Sequence, residues 1–340
     1  MAATDNPGAP SRPKASEERL DAIRNEASAT GKVVTGAGRA HANAPIPGAE
    51  DYYNLPVLKP PTWTWEVPLY FFVGGIAGVS AVIAFVGHLF HAEPRMVRVA
   101  LWIPFVGAGL CPALLISDLG RPLRFLNMLR VFKWRSAMSM GSWILSGFGG
   151  FAFLALATNE LILYGIQSPF LPPLRWLGEF GGALTGLLLA SYTGVLIGAT
   201  AIPVWHENRR LLPAHFLTSG LGGSSAILEL FGFLVPATQI LGFAAASVET
   251  VMGALLEVRK RPIDAPLHHG RSGWTLRIGG VLEGPTALWV RVFWGSLPTG
   301  RFAAAICFLL GALLSRYGWI WAGRASAHDP QALFQLQRKK

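Results

Sequence analysis

From residue 67 onward the chain alternates long apolar stretches with short polar connectors, and each stretch is close to the ~20 residues an α-helix needs to cross the hydrocarbon core of a bilayer. The pattern predicts eight spans, at 67–90, 97–117, 139–164, 176–202, 213–234, 236–257, 278–298 and 302–322. The seventh carries Glu283, Pro285 and Arg291, so it must face protein or water rather than lipid. Residues 1–50 are rich in Ala, Pro, Gly, Ser and charge and lack lasting periodicity. This predicts a disordered polar tail with, at most, a short helix near Ser16–Ala29. From Asp51 to Trp65 prolines and aromatics replace it, which suits an extended interfacial segment with Tyr52, Tyr53, Trp63 and Trp65 at headgroup level. A membrane domain over 66–324 and a polar C-terminal tail over 325–340 complete the plan. No signal peptide is expected, because residues 1–62 hold no apolar core of seven or more.

Composition strengthens this all-α, integral-membrane reading. Of 340 residues 51% are hydrophobic and only 14% charged, at a mean hydropathy of +0.40, too little charge to dress a soluble surface of this size. The net charge of +10 has a topological explanation. Loops on the N-terminal side carry Arg121, Arg124, Arg130, Lys133, Arg135, Arg209, Arg210, Arg259, Lys260, Arg261, Arg271 and Arg277, whereas the opposite loops carry only Arg95, Arg98, Arg175 and Arg301. The positive-inside rule then puts both termini in the cytoplasm of a prokaryotic cell. Basic residues spread between apolar segments form no single face, which argues against nucleic acid.

The two cysteines, Cys111 and Cys307, lie in apolar stretches without a CxxC or CxxCH pattern, so no iron–sulfur cluster or c-type haem is expected in this chain. His88 and His91 fall at the outer end of span 1, His206 and His215 flank the loop between spans 4 and 5, and the rest are in loops or tails. No facing pair at mid-membrane suggests a b-type haem. A repeat is also visible: PLYFFVGGIAGVSAVI from Pro68 aligns without gaps on PAHFLTSGLGGSSAIL from Pro213, with Tyr70 opposite His215. Both segments open a span from the same side, which predicts two parallel four-helix halves over about 66–202 and 213–322.

The conspicuous polar cluster lies at one end of the bundle. Glu66 opens span 1, Asp118 closes span 2, and the following loop reads DLGRPLRFLNMLRVFKWRSAMSMGSW, with Arg121 and Arg124 around a Gly–Pro turn. A carboxylate beside guanidinium groups can bind a polar head group; equally, the arginines can set topology while Asp118 offsets their charge.

The segments YYNLPVLKPPTWTWEVPLYFFVGGIAG and LLISDLGRPLRFLNMLRVFKWRSAMSMGSW resemble the NrfD, or polysulfide-reductase membrane-subunit, family over about residues 51–145; the second half matches mainly in architecture. The resemblance implies a haem-free membrane subunit of a respiratory oxidoreductase complex. Such a subunit anchors a four-cluster, ferredoxin-like iron–sulfur partner, which connects to a catalytic and often molybdopterin-bearing subunit. Electrons are exchanged with menaquinone or ubiquinone in the membrane. On this reading Glu66 and Asp118 exchange protons with quinol, and Tyr70 hydrogen-bonds a quinone carbonyl. Arg121, Arg124, Ser139, Trp143 and His215 order or line the pocket. Deeper in the bundle, Glu249 and Glu229 suggest a proton path; a structural network or an ion pair such as Glu283–Arg291 is the alternative. Two other readings stay open: a secondary transporter, since parallel repeats and midplane carboxylates occur there too, and a passive anchor without quinone chemistry.

Overall fold

A computed structural model describes residues 58–119 and 125–329. The N-terminal tail, Tyr52, Tyr53, Arg121, Arg124 and the last residues of the chain lie outside the described residues. Regular structure within them is wholly helical. The long helices are α1 (Glu66–Leu89) and α2 (Pro94–Asp118), then, after a short α3 (Phe125–Arg130), α4 (Ala137–Leu163) and α5 (Leu171–Gly198). A short α6 (Pro203–Glu207) leads to α7 (Leu211–Leu230) and α8 (Pro236–Val258). After the short α9 (Ala265–His268) come α10 (Gly270–Val281), a π-turn (Leu282–Thr286), α11 (Ala287–Trp294) and α12 (Pro298–Ala327).

Local signals mark the ends. Helices α2, α8 and α12 each begin on a proline, whose fixed φ and missing N–H suit the first helical position. Helices α4 and α7 stop where Gly165 and Gly232 take positive φ, of 83° and 91°. There the N–H groups of Ile166 and Phe233 turn back to Leu161 and Leu228, closing the last helical carbonyls.

Six helices (α1, α2, α4, α5, α8 and α12) are long and apolar enough to cross a membrane. At the fifth and seventh expected positions stand α7 and the α10–α11 composite, which are less apolar for visible reasons. Helix α7 carries His215, Thr218, Ser219, Ser224, Ser225 and Glu229; the composite carries Arg271, Arg277, Glu283 and Arg291 and is interrupted by its π-turn. Six of the eight predicted spans thus match helices long and apolar enough to cross a membrane, and two more polar helical segments stand at the other two positions.

The bundle is inside-out by the standards of a water-soluble protein. Its outer surface exposes Phe153, Leu184, Ile240, Val251, Ile278 and Leu310, while Glu179, Glu229, Glu249, Glu283, Arg291 and Arg316 are buried. Lipid, not water, suits such a surface, and the ionisable groups escape it by facing inward. Together, six crossing-length helices and this surface define a multi-pass membrane protein.

Helix α1 packs on α2 and α5, and α4 on α5 and α2; correspondingly α7 packs on α8 and α12, and α10 on α12. The two groups meet chiefly along α7, which packs on both α1 and α5. Glycine permits the closest approaches. A Cβ on Gly78 would lie 2.3 Å from the Gly186 carbonyl oxygen, and one on Gly220 would lie 2.8 Å from that of Gly75. Backbones in such contact gain van der Waals packing that lipid cannot supply. Gly75 and Gly220 are partners in the repeat alignment, as are Phe71 and Phe216, whose rings stand 5.9 Å apart. The residues that match in sequence therefore touch in space.

An aromatic plug closes one end of this seam, called here the near end because α1 starts from it. Trp205 is fully buried, donates to the Trp319 carbonyl at 2.8 Å and stacks on Trp63 at 5.5 Å between centroids. Trp63 thus packs inward, whereas Trp65 is exposed.

Candidate functional site

The near-end carboxylates come together. Glu66 sits in the first turn of α1 and Asp118 in the last turn of α2, and Thr64 joins them. Its hydroxyl bonds both Glu66 and Asp118, the latter at 2.7 Å, and its backbone N–H also donates to Asp118 at 3.2 Å. A hydroxyl donates one proton, so Thr64 acts as a switchable bridge between two acids. Next to them, Tyr317 donates to the Trp65 carbonyl at 2.9 Å, tying α12 to the same corner.

One turn deeper, Tyr70 is buried against Gly74 and Phe71. Its hydroxyl makes no hydrogen bond to any described residue. Ser139 has a different occupation: its Oγ accepts from the Lys133 N–H at 3.0 Å and donates to the Val131 carbonyl at 3.3 Å, so it braces the loop before α4. Trp143 is exposed and packs edge-on to Phe132. In α5, Tyr192 bonds the Ala137 carbonyl, while Ser191 and Thr193 bond within their own helix.

His215 is buried one turn into α7, and its Nδ1 lies 2.7 Å from the Glu249 carboxylate of α8. Glu283 joins from the π-turn, its Oε2 accepting from the Ser219 hydroxyl at 3.1 Å. Ligand-capable atoms of His215, Glu249 and Glu283 all lie within 4.8 Å of one another. Arg316 of α12 faces the same group, lies 3.8 Å over the Phe216 ring and donates to the Phe216 carbonyl at 3.1 Å. Four buried polar atoms in this nest lack a described partner: His215 Nε2, Glu249 Oε1 and Arg316 Nε and Nη1. Buried polar atoms concentrated in this way are the kind that internal water satisfies. Two carboxylates against one guanidinium leave one negative charge, which a single proton on the nest neutralises.

The π-turn is what brings Glu283 there. Pro285 has no N–H to give the helix ladder, and the widened turn leaves Glu283 buried beside Ser219.

Glu229 belongs to another cluster, about 21 Å along α7 from His215 at helical rise. Its two oxygens take a bidentate pair from Arg291 at 2.9 and 2.7 Å and further bonds from Arg301 at 2.8 and 3.1 Å. Arg301 also donates to Leu234 and Val235 carbonyls and to Thr238. The Glu283–Arg291 pair considered from sequence is therefore not formed. The two residues lie on one composite helix but bond different partners, Ser219 and Glu229.

Elsewhere at the far end, Arg98 forks onto Glu160 at 2.8 and 2.6 Å, and His88 and Arg175 hold Glu179. At the near end, outside the spans, Arg261 bonds Asp264 at 2.7 Å and Glu207. Burial alone would lower its pKa, but these two acids hold it above the ordinary arginine value.

Fold and buried polar groups define a helical, multi-pass membrane protein with ionisable clusters at both ends and inside the bundle. A family model described as polysulphide reductase, NrfD matches residues 56–258, and the chain belongs to the NrfD family. It is similar to the C subunit of polysulfide reductase from Wolinella succinogenes, 28% identical over an alignment 214 positions long, which covers 55% of this chain and 62% of that protein. The matched part is thus under two thirds of the relative's length. Family membership agrees with the multi-pass helical membrane architecture described above.

Sequence reasoning brought Glu66 and Asp118 to one end but passed over Thr64, which joins them. It also missed Arg316, Ser219 and the tie between His215 and Glu249. Arg316 carried a usable signal, since an arginine inside an apolar run must find a buried partner. Thr64 carried none, because a threonine before a helix is ordinary.

Proposed function

We propose that this protein is the quinone-reactive subunit of its complex, exchanging electrons between the membrane quinone pool and a four-cluster iron–sulfur partner docked at the near end. Through that partner it serves a catalytic, molybdopterin-type subunit. The observation that carries the reading is the Thr64-bridged pair of Glu66 and Asp118, at the end of the bundle and one turn from the buried Tyr70. Quinol oxidation releases protons together with electrons, and reduction takes them up. Two acids sharing one hydroxyl can pass each proton between the ring oxygen and water, and Tyr70 can hold the opposite ring oxygen. Arg121 and Arg124 belong to the same corner in this proposal, as docking or ordering residues. The protein itself supplies orientation and proton handling; the redox chemistry belongs to the quinone and the partner's clusters.

The same reading has eight spans in two related halves, with both termini cytoplasmic in a prokaryotic cell membrane. Within it the His215–Glu249–Glu283–Arg316 nest is the proton-holding station of the second half. Glu249 is better placed for that role than Glu229, whose oxygens are both held by arginine.

The test is turnover of a quinol analogue by the purified complex. E66Q and D118N should each lower it by roughly a hundredfold or more, the loss typical of a positioned acid–base group, while the complex stays assembled. Unchanged turnover in both variants would leave a passive anchor as the better account.

A further inference from the structure

The near end holds a second site that takes no part in the quinone reading. A cavity of about 410 Å³ opens between the α6–α7 corner and the segment after α8, lined by Glu207, Asn208, Arg210, Leu211, Arg259 and Arg261. We propose that it binds the headgroup phosphate of an acidic phospholipid.

The charges point to an anion. Three guanidinium groups face one carboxylate in the lining, and that carboxylate, Glu207, already bonds Arg261. Arg261 is braced on its other side by Asp264, yet its Nη2 is buried and has no partner among the described residues. Arg210 and Arg259 are exposed, and neither forms an ion pair with a described residue. They come from different connections, brought to one cavity by the packing of α7 on α8. Like charges converging on a concave surface repel one another unless an anion lies between them, and planar guanidinium forks match phosphate oxygens.

The surroundings select a lipid over a free anion. Arg259 directly follows α8, whose exposed face near that end runs Val248, Val251, Leu255 and Val258 at helical spacing. An acyl tail laid along this stripe brings its phosphate to the cavity, and Leu211 in the lining continues the apolar edge. Basic pockets between spanning helices recur as sites for acidic headgroups.

Native mass spectrometry of the full-length protein, released from micelles doped with phosphatidylglycerol, phosphatidylcholine or inorganic phosphate, tests the assignment. Wild type should retain phosphatidylglycerol in preference to phosphatidylcholine. R210Q/R259Q should weaken that retention by roughly thirtyfold, as expected for removing two cations at an acidic membrane surface, and R210K/R259K should keep most of it. Equal retention of the two lipids by wild type, or retention unchanged in R210Q/R259Q, overturns the proposal. Displacement of phosphatidylglycerol by equimolar inorganic phosphate overturns the lipid assignment in favour of a free-anion site. If R210Q/R259Q does not fold, the wild-type lipid comparison and phosphate competition still decide.

Discussion

Replacing Glu229 by glutamine is the most informative single change for stability. Glu229 and Arg291 side chains are fully buried and Arg301 is 7% exposed, so E229Q leaves two guanidinium groups facing a neutral amide. Their four short contacts to the carboxylate, from 2.7 to 3.1 Å, lose their charge. Removing one member of a buried charge cluster costs about 3–5 kcal/mol, because the remaining charges stay desolvated without compensation. For a protein of this size that is a fall in melting temperature on the order of 10 °C. Arg301 keeps three other acceptors in Leu234, Val235 and Thr238, so Arg291 suffers most. The double variant E229Q/R291M should consequently be more stable than E229Q alone, a non-additivity that independent sites would not show. Thermal unfolding of detergent-purified protein, followed by intrinsic tryptophan fluorescence, reads both variants, with the half-exposed pair of Arg98 and Glu160 as control through E160Q. If E229Q melts with E160Q and wild type, or if R291M makes E229Q worse, the buried triad is not a structural anchor.

Further expectations concern other parts of the bundle. R316M strips the nest of its cation and should destabilise by about 3–5 kcal/mol, with R316M/E283Q recovering part of the loss in the same melting assay. T64V removes the hydroxyl bridge and should lower quinol turnover by roughly tenfold to a hundredfold, the worth of a hydrogen bond to a charged group. T64S should restore it, and turnover equal to wild type in T64V would remove Thr64 from the mechanism. G78L drives a side chain into the Gly186 backbone and should abolish folded protein, judged by monodispersity in gel filtration, whereas G109L, with open space around its Cβ, should not.

Much of the architecture was legible because hydrophobic length and periodicity are local properties. Spans at 67–90 and 236–257 differ from α1 and α8 by at most a residue at either end. The errors have local causes too. Helix α5 starts at Leu171 rather than 176 because Pro172 and Pro173 lie in its first turn, where they favour a helix start. Helix α12 runs on to Ala327 because Gly323 lies close against the Trp205 ring and the Ser326 hydroxyl accepts from the Val204 N–H at 3.2 Å, contacts that reward packing beyond the apolar run. The site was legible only in part. Charge in an apolar context exposed Glu66, Asp118, Glu249 and Glu283 one by one, but not their partners. Pairing of His215 with Glu249, or of Glu229 with Arg291 and Arg301, depends on which helix faces lie together, and that is set by glycine contacts far away in sequence.

The π-turn at Leu282–Thr286 has a consequence for how this helix tolerates change in length. Each residue of an α-helix advances the side chains by about 100°, and the wide turn adds a residue without adding a full step of ladder. It works as a phase insertion, holding Glu283 within the turn against Ser219 while Arg291 beyond it meets Glu229. Because the extra residue is absorbed locally, a one-residue deletion inside the turn closes it to an ordinary α-turn and leaves Arg291 in register with its carboxylate, at the expense of the setting of Glu283. A one-residue deletion after the turn, between Ala287 and Val290, instead turns Arg291 by about 100° relative to Glu229. The two charge clusters on this helix are thus separated by a phase step, and the place of a length change decides which of them it disturbs.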